Sequence, residues 1–246
     1  MDMPAESEEL AGAAFGLGAD DSAAAMPRVR EYFPETLMWV PELLTDEEGR
    51  AQLSLQMADS ITTWRVTASA NSAGGLLGGA TGAIRVFQDF FVDIDFPVAL
   101  TQNDEVSVPV AVFNYLKEEQ EVRLVAEEGD WYELLGEREQ RVRMGPGEVK
   151  AVYFPLRVVK IGRQALTVKA FGTKMSDAVK RVVEVVPDGK RVEEVVNDRL
   201  KGSISRRFEI PADAIADSTK IVCKCYPGVF SQIMEGVDGM LGAPHG

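Results

Sequence analysis

The chain has 246 residues, 46% of them hydrophobic, and carries 26 Lys and Arg against 39 Asp and Glu, a formal net charge of -13. This length suits one large or two ordinary domains with buried cores, and the acid excess argues against nucleic acid and anionic membrane surfaces as partners. No run approaches the roughly 20 apolar residues of a membrane span, and the opening MDMPAESEEL lacks the basic and apolar regions of a signal peptide, so neither a span nor an export leader is expected in these residues.

Residues 1–27 are rich in Ala, Gly and acid and have no Lys or Arg before Arg28, which reads as a flexible acidic tether with too little apolar surface to offset its ordering entropy. At Arg28 the composition changes. REYFPETLMWVPELL carries aromatic and aliphatic residues broken by Pro34 and Pro41, the pattern of short edge strands. EEGRAQLSLQMAD then alternates Ala51, Leu53, Leu55 and Met57 against polar neighbours, which predicts a strand with one buried face. TTWRVTASA repeats the period, NSAGGLLGGATG is a glycine-dense connection, and IRVFQDFFVDIDFP returns to strand. The glycine run lacks the GK[ST] ending and following helix of a phosphate cradle, so a hairpin connection is the reading it supports.

From Phe90 the pattern is clearest. Val106, Val108, Val110 and Val112, then Val122 and Leu124, alternate between turns at QND and KEEQ, and a hairpin is expected around Met144–Gly147. Roughly seven short strands with turns about every ten residues predict an immunoglobulin-like antiparallel β-sandwich over 91–187, without the paired cysteines of an antibody domain. Residues 188–226 read as a few further strands. Val229, Phe230, Ile233, Met234, Val237, Met240 and Leu241 fall at helical spacing, so the chain is expected to finish on one amphipathic helix with Gly242 as its left-handed cap. The fold class expected is therefore mainly β.

Residues with chemical potential are few. Cys223 and Cys225 share one face of an extended segment, as half of a metal site or as two small buried apolar residues. Asp93 with Asp95, and Glu193 with Glu194, are acids of solvated faces without a partner that would set up acid-base work. Trp39, Trp64 and Trp131, with Tyr32, Phe33, Phe90 and Phe91, read as core in preference to a sugar-binding platform. Phe90 and Phe91 face opposite ways, so one of them needs cover at a domain junction. No cofactor, metal or catalytic residue is assigned, and the chain is not expected to be an enzyme.

REYFPETLMW with ADSITTWRVTA, then FFVDIDFPVALTQNDEVSVPVAVFNYL, then the terminal MLGAPHG, resemble in order the alpha-2-macroglobulin family, which includes complement components and bacterial relatives. The resemblance spans about residues 28–246 and implies a string of macroglobulin-like sandwiches. On it, 1–27 corresponds to the trailing part of a bait-like segment, 28–90 to the later strands of an interrupted sandwich, and 91–187 to a complete one. Residues 188–226 correspond to the first strands of a CUB domain, hence a partial CUB segment, and 227–246 to the first helix of a thioester domain.

In that family a stretch like Pro244, His245, Gly246 is followed by Cys-x-Glu-Gln, whose side chains form an internal thioester, an acyl group held from water until proteolysis exposes it to amines and hydroxyls. This sequence contains no Cys-x-Glu-Gln. The resemblance implies a scaffold fragment of a conformational protease trap, extracellular or periplasmic, with target proteases and complementary chains of the same trap as partners. The alternative is a free-standing β-sandwich interaction module. Within the bait-like reading, trypsin-like cleavage falls at Arg28 or Arg30, while Met1, Met3, Phe15 and Leu17 suit other specificities.

Overall fold

The computed structural model describes residues 26–240, and the alternating runs that bury one face each account for its organisation. A two-residue strand, β1 (Val29–Arg30), is followed by a stretch without strand and then by the hairpin β2 (Thr63–Asn71) and β3 (Leu77–Arg85). Close-spaced strands come next: β4 (Phe90–Ile94), β5 (Ala99–Thr101), β6 (Glu105–Asn114), β7 (Gln120–Ala126) and β8 (Tyr132–Leu134). β9 (Glu139–Met144), β10 (Glu148–Val158), β11 (Gly162–Phe171) and β12 (Ser176–Val186) complete them, and the helix α1 (Val229–Met240) lies far beyond. The acidic stretch up to residue 25, Leu241, Gly242 and Pro244–Gly246 lie outside the described residues.

β4 to β12 build the expected sandwich. One sheet runs β1-β12-β11-β7-β9 with β5 also on β12, and the other runs β4-β6-β10-β8. The inward phase of each strand forms a single core in which Val92, Val108, Val110, Val112, Leu124 and Phe154 are fully buried. Trp131 joins this core and donates its indole N–H to Ala165 O at 2.7 Å. Consecutive strands from β4 to β10 alternate between the two sheets, so the turns between them are arches over the core edge. The expected hairpin at Met144–Gly147 is one of these arches: β9 pairs with β7, whereas β10 pairs with β6 and β8. Alternation reports that one face of a strand is buried; it does not report which neighbour the backbone pairs with.

Two buried amides hold arches in place. Asn114 Nδ2 donates to Glu118 O at 2.9 Å and Gly145 O at 2.8 Å, tying the ends of β6 and β9 together. Gln120 Oε1 accepts from Lys174 N at 2.9 Å, at the one hairpin inside the sandwich, β11–β12. There Gly172 has no room for a side chain, since a Cβ would sit 2.7 Å from Met175 O and 3.2 Å from Gln120 Oε1.

Outside the sandwich the structure departs from the periodicity. Residues 51–57 form no strand, and Leu53 and Leu55 are exposed, because no neighbouring backbone lies alongside for a ladder. Residues 187–228 likewise contain no strand. Trp39, expected in a core, is 82% exposed, and Tyr32 is also exposed. Phe90 enters the core, while Phe91 turns outward and stacks on Phe113 with ring centroids 4.4 Å apart. The helix forms where its spacing placed it, with Val229, Phe230 and Ile233 exposed.

Stability is therefore concentrated between residues 90 and 186. Phe154→Ala is expected to cost about 3–5 kcal/mol, as truncation of a fully buried aromatic does, measured by denaturant unfolding. Amide hydrogen exchange should show strong protection in β4–β12 and rapid exchange across 190–226; equal protection in both regions would contradict this distribution.

Candidate functional site: a buried arginine at the sandwich edge

The two arginines singled out in the sequence lie side by side before the sandwich, and the fold treats them oppositely. The Arg28 side chain is 75% exposed and sets Nη2 2.6 Å from Asp59 Oδ1. Arg30, in β1, has a side chain only 5% exposed and pairs with Asp177, itself 4% exposed. A trypsin-like protease needs an accessible extended chain and a free arginine side chain. Against the expectation of a cleavage position at Arg30, β1 has to leave the sheet before that bond is available.

A buried charge persists only when it is paired and its donors are satisfied. Arg30 meets this requirement almost completely. Its Nε lies 3.0 Å from Asp177 Oδ1 and its Nη2 lies 2.8 Å from Oδ2, a two-pronged pair matching the planar fork to the carboxylate. Nη1 donates to Asp59 O at 3.1 Å and Nη2 also to Val92 O. Asp177 Oδ2 in turn accepts from Val92 N at 2.9 Å. One guanidinium thus joins β1, the loop before β2, β4 and β12.

Asp59 is the second anchor. Its Oδ2 accepts from Glu31 N and Tyr32 N, both at 3.0 Å, while its own N–H donates to Tyr32 O at 2.8 Å. Burial works to raise the Asp59 pKa, but the hydrogen bonds from Tyr32 and Glu31, and then the charge and hydrogen bond of Arg28, outweigh it and hold the carboxyl below its ordinary value. Next to this pair, Arg181 grips Asp93 with Nε and Nη2, each at 2.9 Å, and its guanidinium carbon stands 3.7 Å from the centroid of the Phe33 ring. Asp93 is thus a structural ion-pair partner.

Sequence reasoning selected Arg28 and Arg30 and passed over Asp59, Asp177 and Arg181. A signal for two of these was present: Asp177 and Arg181 share the alternation phase of Val179, Val183 and Val185 on β12, and charges on an apolar phase need partners. Asp59 gave none, since its acceptor role depends on backbone amides that only the folded loop presents.

Cys223 and Cys225 are both exposed with free thiols, not buried small residues. Lys224 and Tyr226 between and beside them reach Glu235 on α1. Among the described residues, no group of three or more His, Cys, Asp or Glu side chains is placed to hold a metal ion, and no helix is long and apolar enough to cross a membrane. The glycine-dense 71–82 stretch is hairpin, with Gly75 at φ 84° in the turn.

Comparison with known proteins adds family information. The family model described as Alpha-2-macroglobulin family matches residues 36–126. Complement C3 from Eptatretus burgeri is 28% identical over 170 residues, covering 65% of this chain and 10% of that protein. Venom factor from Crotalus adamanteus is 30% identical over 177 residues, covering 66% of this chain and 10% of that protein. The chain therefore spans about a tenth of the length of the curated relatives it matches. The solved structure of Escherichia coli alpha-2-macroglobulin activated by porcine elastase superimposes with a TM-score of 0.52 at 17% identity, over 58% of this chain and 13% of that one, a likeness of fold.

Removing one member of the buried pair, by Arg30→Ala or Asp177→Asn, should destabilise the protein by about 3–5 kcal/mol because the remaining charge or carbonyl is left without its partner. Replacing both by apolar residues should recover only part, since Val92 N also loses its acceptor. For Asp59 the folded pKa lies below the unfolded value of about 4, so its contribution is complete above that pH and fades as pH falls through the folded value. The gap in melting temperature between the protein and Asp59→Asn should accordingly be widest near neutrality and shrink below about pH 4.

Proposed function

This chain is a relative of the alpha-2-macroglobulin family, and from that premise we propose that it is a non-enzymatic scaffold segment of an extracellular or periplasmic protease trap. In this reading the acidic residues up to about 27 are the trailing part of a cleavable bait, and the sandwich is the body that registers its cleavage. In this reading residues 28–90 are the later strands of an interrupted sandwich, with β1 lying on the sheet of the next one, 188–226 begin a CUB domain and 227–246 a thioester domain, with Pro244–Gly246 flanking a thioester that this sequence does not contain.

The observation that carries the reading is the coupling at β1. The residues that follow the acidic stretch enter the sandwich through a buried, almost fully hydrogen-bonded ion pair, so the chain on the N-terminal side is attached to a rigid body at one defined point. A trap needs such a point, since cleavage changes the tension on one side only. Nothing in this arrangement activates a nucleophile or water, and the nearby carboxylates are occupied as structural acceptors. The reactive step of trapping, attack on an exposed acyl group, requires a chain that carries Cys-x-Glu-Gln.

A free-standing interaction module is the second reading. It is favoured by the β2–β3 hairpin, which pairs only with itself and leaves Val66, Leu76, Leu77 and Ile84 exposed.

Reconstitution separates the two. Mixed with chains carrying the preceding sandwiches and the thioester segment, the protein should form a stable complex that retains trypsin or elastase after cleavage, detected by co-elution in size-exclusion chromatography. Failure of those chains to associate would remove the split-trap reading and leave the module.

A further inference from the structure

β1 forms only two ladder pairs, Val29 with Ala178 and Arg30 with Val179, in the parallel orientation. Two residues of parallel ladder hold a chain poorly. Yet the segment 28–33 is seated by contacts along its whole length, and the partners alternate in kind. Arg28 meets the Asp59 carboxylate, Arg30 meets Asp177, Glu31 meets Lys180 at 3.0 Å, and Phe33 lies under Arg181. Every one of these partners belongs to residues 59–181, on the far side of the 34–57 connection. That connection is exposed throughout much of its length, with Trp39 at 82% and Leu44 at 84%.

We infer that the seam between β12, β4 and the Asp59 loop is a strand-acceptor site whose ligand is an extended peptide reading Arg-x-Arg-Glu-x-Phe, here filled by the chain's own residues 28–33. The chemistry is that of β-augmentation, with backbone bonds supplying a platform and side-chain sites at set spacing supplying the selection. Two buried acidic receptors, Asp59 and Asp177, accept the two arginines, Arg28 from the exposed side and Arg30 from within; a basic pair on β12 accepts the glutamate and the ring. An arginine fork suits the buried receptor because Asp177 offers both oxygens and because two carbonyls, of Asp59 and Val92, take further N–H groups. A lysine presents a point charge there and leaves those carbonyls unmet. The occupant is held without any covalent need for residues 34–57, so the site goes beyond the protease-trap reading and stands independently of it. A chain cut in the exposed connection is retained, and its place is open to exchange with the same segment from a second copy.

The test places a recognition sequence for a site-specific protease at residues 43–46 of the full chain and cuts it there. The two pieces are expected to co-elute in size-exclusion chromatography at micromolar concentration. A labelled synthetic peptide MPRVREYFP should then exchange into the cut protein and displace the N-terminal piece. The same peptide with Arg30→Ala should bind at least about 100-fold more weakly, the factor expected for loss of one partner of a buried pair, and the Arg30→Lys peptide should fall between. Because the variants reside in the peptide, the acceptor body remains the native one and misfolding does not enter. Separation of the pieces on cutting, or equal binding of the native and Arg30→Ala peptides, would overturn the proposal.

Discussion

The ion pair between Arg30 and Asp177 is the constraint around which the N-terminal half of this structure is arranged. The two residues are 147 positions apart in sequence and both are almost wholly withdrawn from water. Withdrawing two charges costs several kcal/mol each, and the cost is offset only where geometry and further hydrogen bonds are both favourable. Here the fork meets the carboxylate squarely, and the leftover N–H groups find the carbonyls of Asp59 and Val92. The loop carrying Asp59, the edge of β4 and the start of β12 therefore have to arrive together. None of them is free to shift without stranding a charge, which makes the pair a registration device more than a source of net stability.

That requirement explains why some of the fold was legible in the sequence and some was not. The sandwich was legible because its strands carry long valine alternations, and period two on a half-buried sheet is a local signal. Val108, Val110 and Val112 declare their face without reference to any partner. The helix was legible for the same reason at its own period. Pairing was not: Met144–Gly147 has the residues of a tight turn, but the pairing of β9 with β7 and of β10 with β6 and β8 makes it an arch between sheets, held by the Asn114 bond to Gly145 O. The 51–57 run shows the converse, an alternation with no adjacent backbone to pair with. The site was half legible. Arg28 and Arg30 stood out because basic residues first occur there, whereas Asp177 was hidden among the valines of β12, and Asp59 acts through amides that exist as a set only after folding.

The surface of the sandwich and its buried seam divide the work of the charges. The protein carries 39 acidic residues, and most of the ion pairs on its faces, such as Arg157 with Glu105 or Arg123 with Glu139, are exposed and contribute little each. One pair, Arg30 with Asp177, has both partners withdrawn from water, and two partly exposed pairs lie beside it at one edge. There the chain's formal excess of acid is locally reversed into a balanced lattice of Arg28, Arg30 and Arg181 with Asp59, Asp177 and Asp93. A balanced lattice of this kind discriminates by position: each partner tolerates only the opposite charge at one spacing, and a displaced register would set like charges against each other.

On the proposed scaffold reading, the part needs a body that resists deformation and an attachment that yields under load. The core of β4–β12 meets the first condition, because close-packed interiors shift between discrete arrangements and do not bend continuously. The second is met at β1, where a ladder of only two pairs contributes little and the side chains contribute most of the hold. Force applied through the chain at Arg28 falls first on a pair whose guanidinium is 75% exposed, while its Asp59 carboxylate is buried but keeps the backbone N–H groups of Glu31 and Tyr32. It meets the buried Arg30 pair only afterwards, where failure is abrupt because a half-broken pair leaves an uncompensated charge. The seam is thus graded, yielding at its outer contact and switching at its inner one, and that grading follows directly from the difference in burial between two arginines two residues apart.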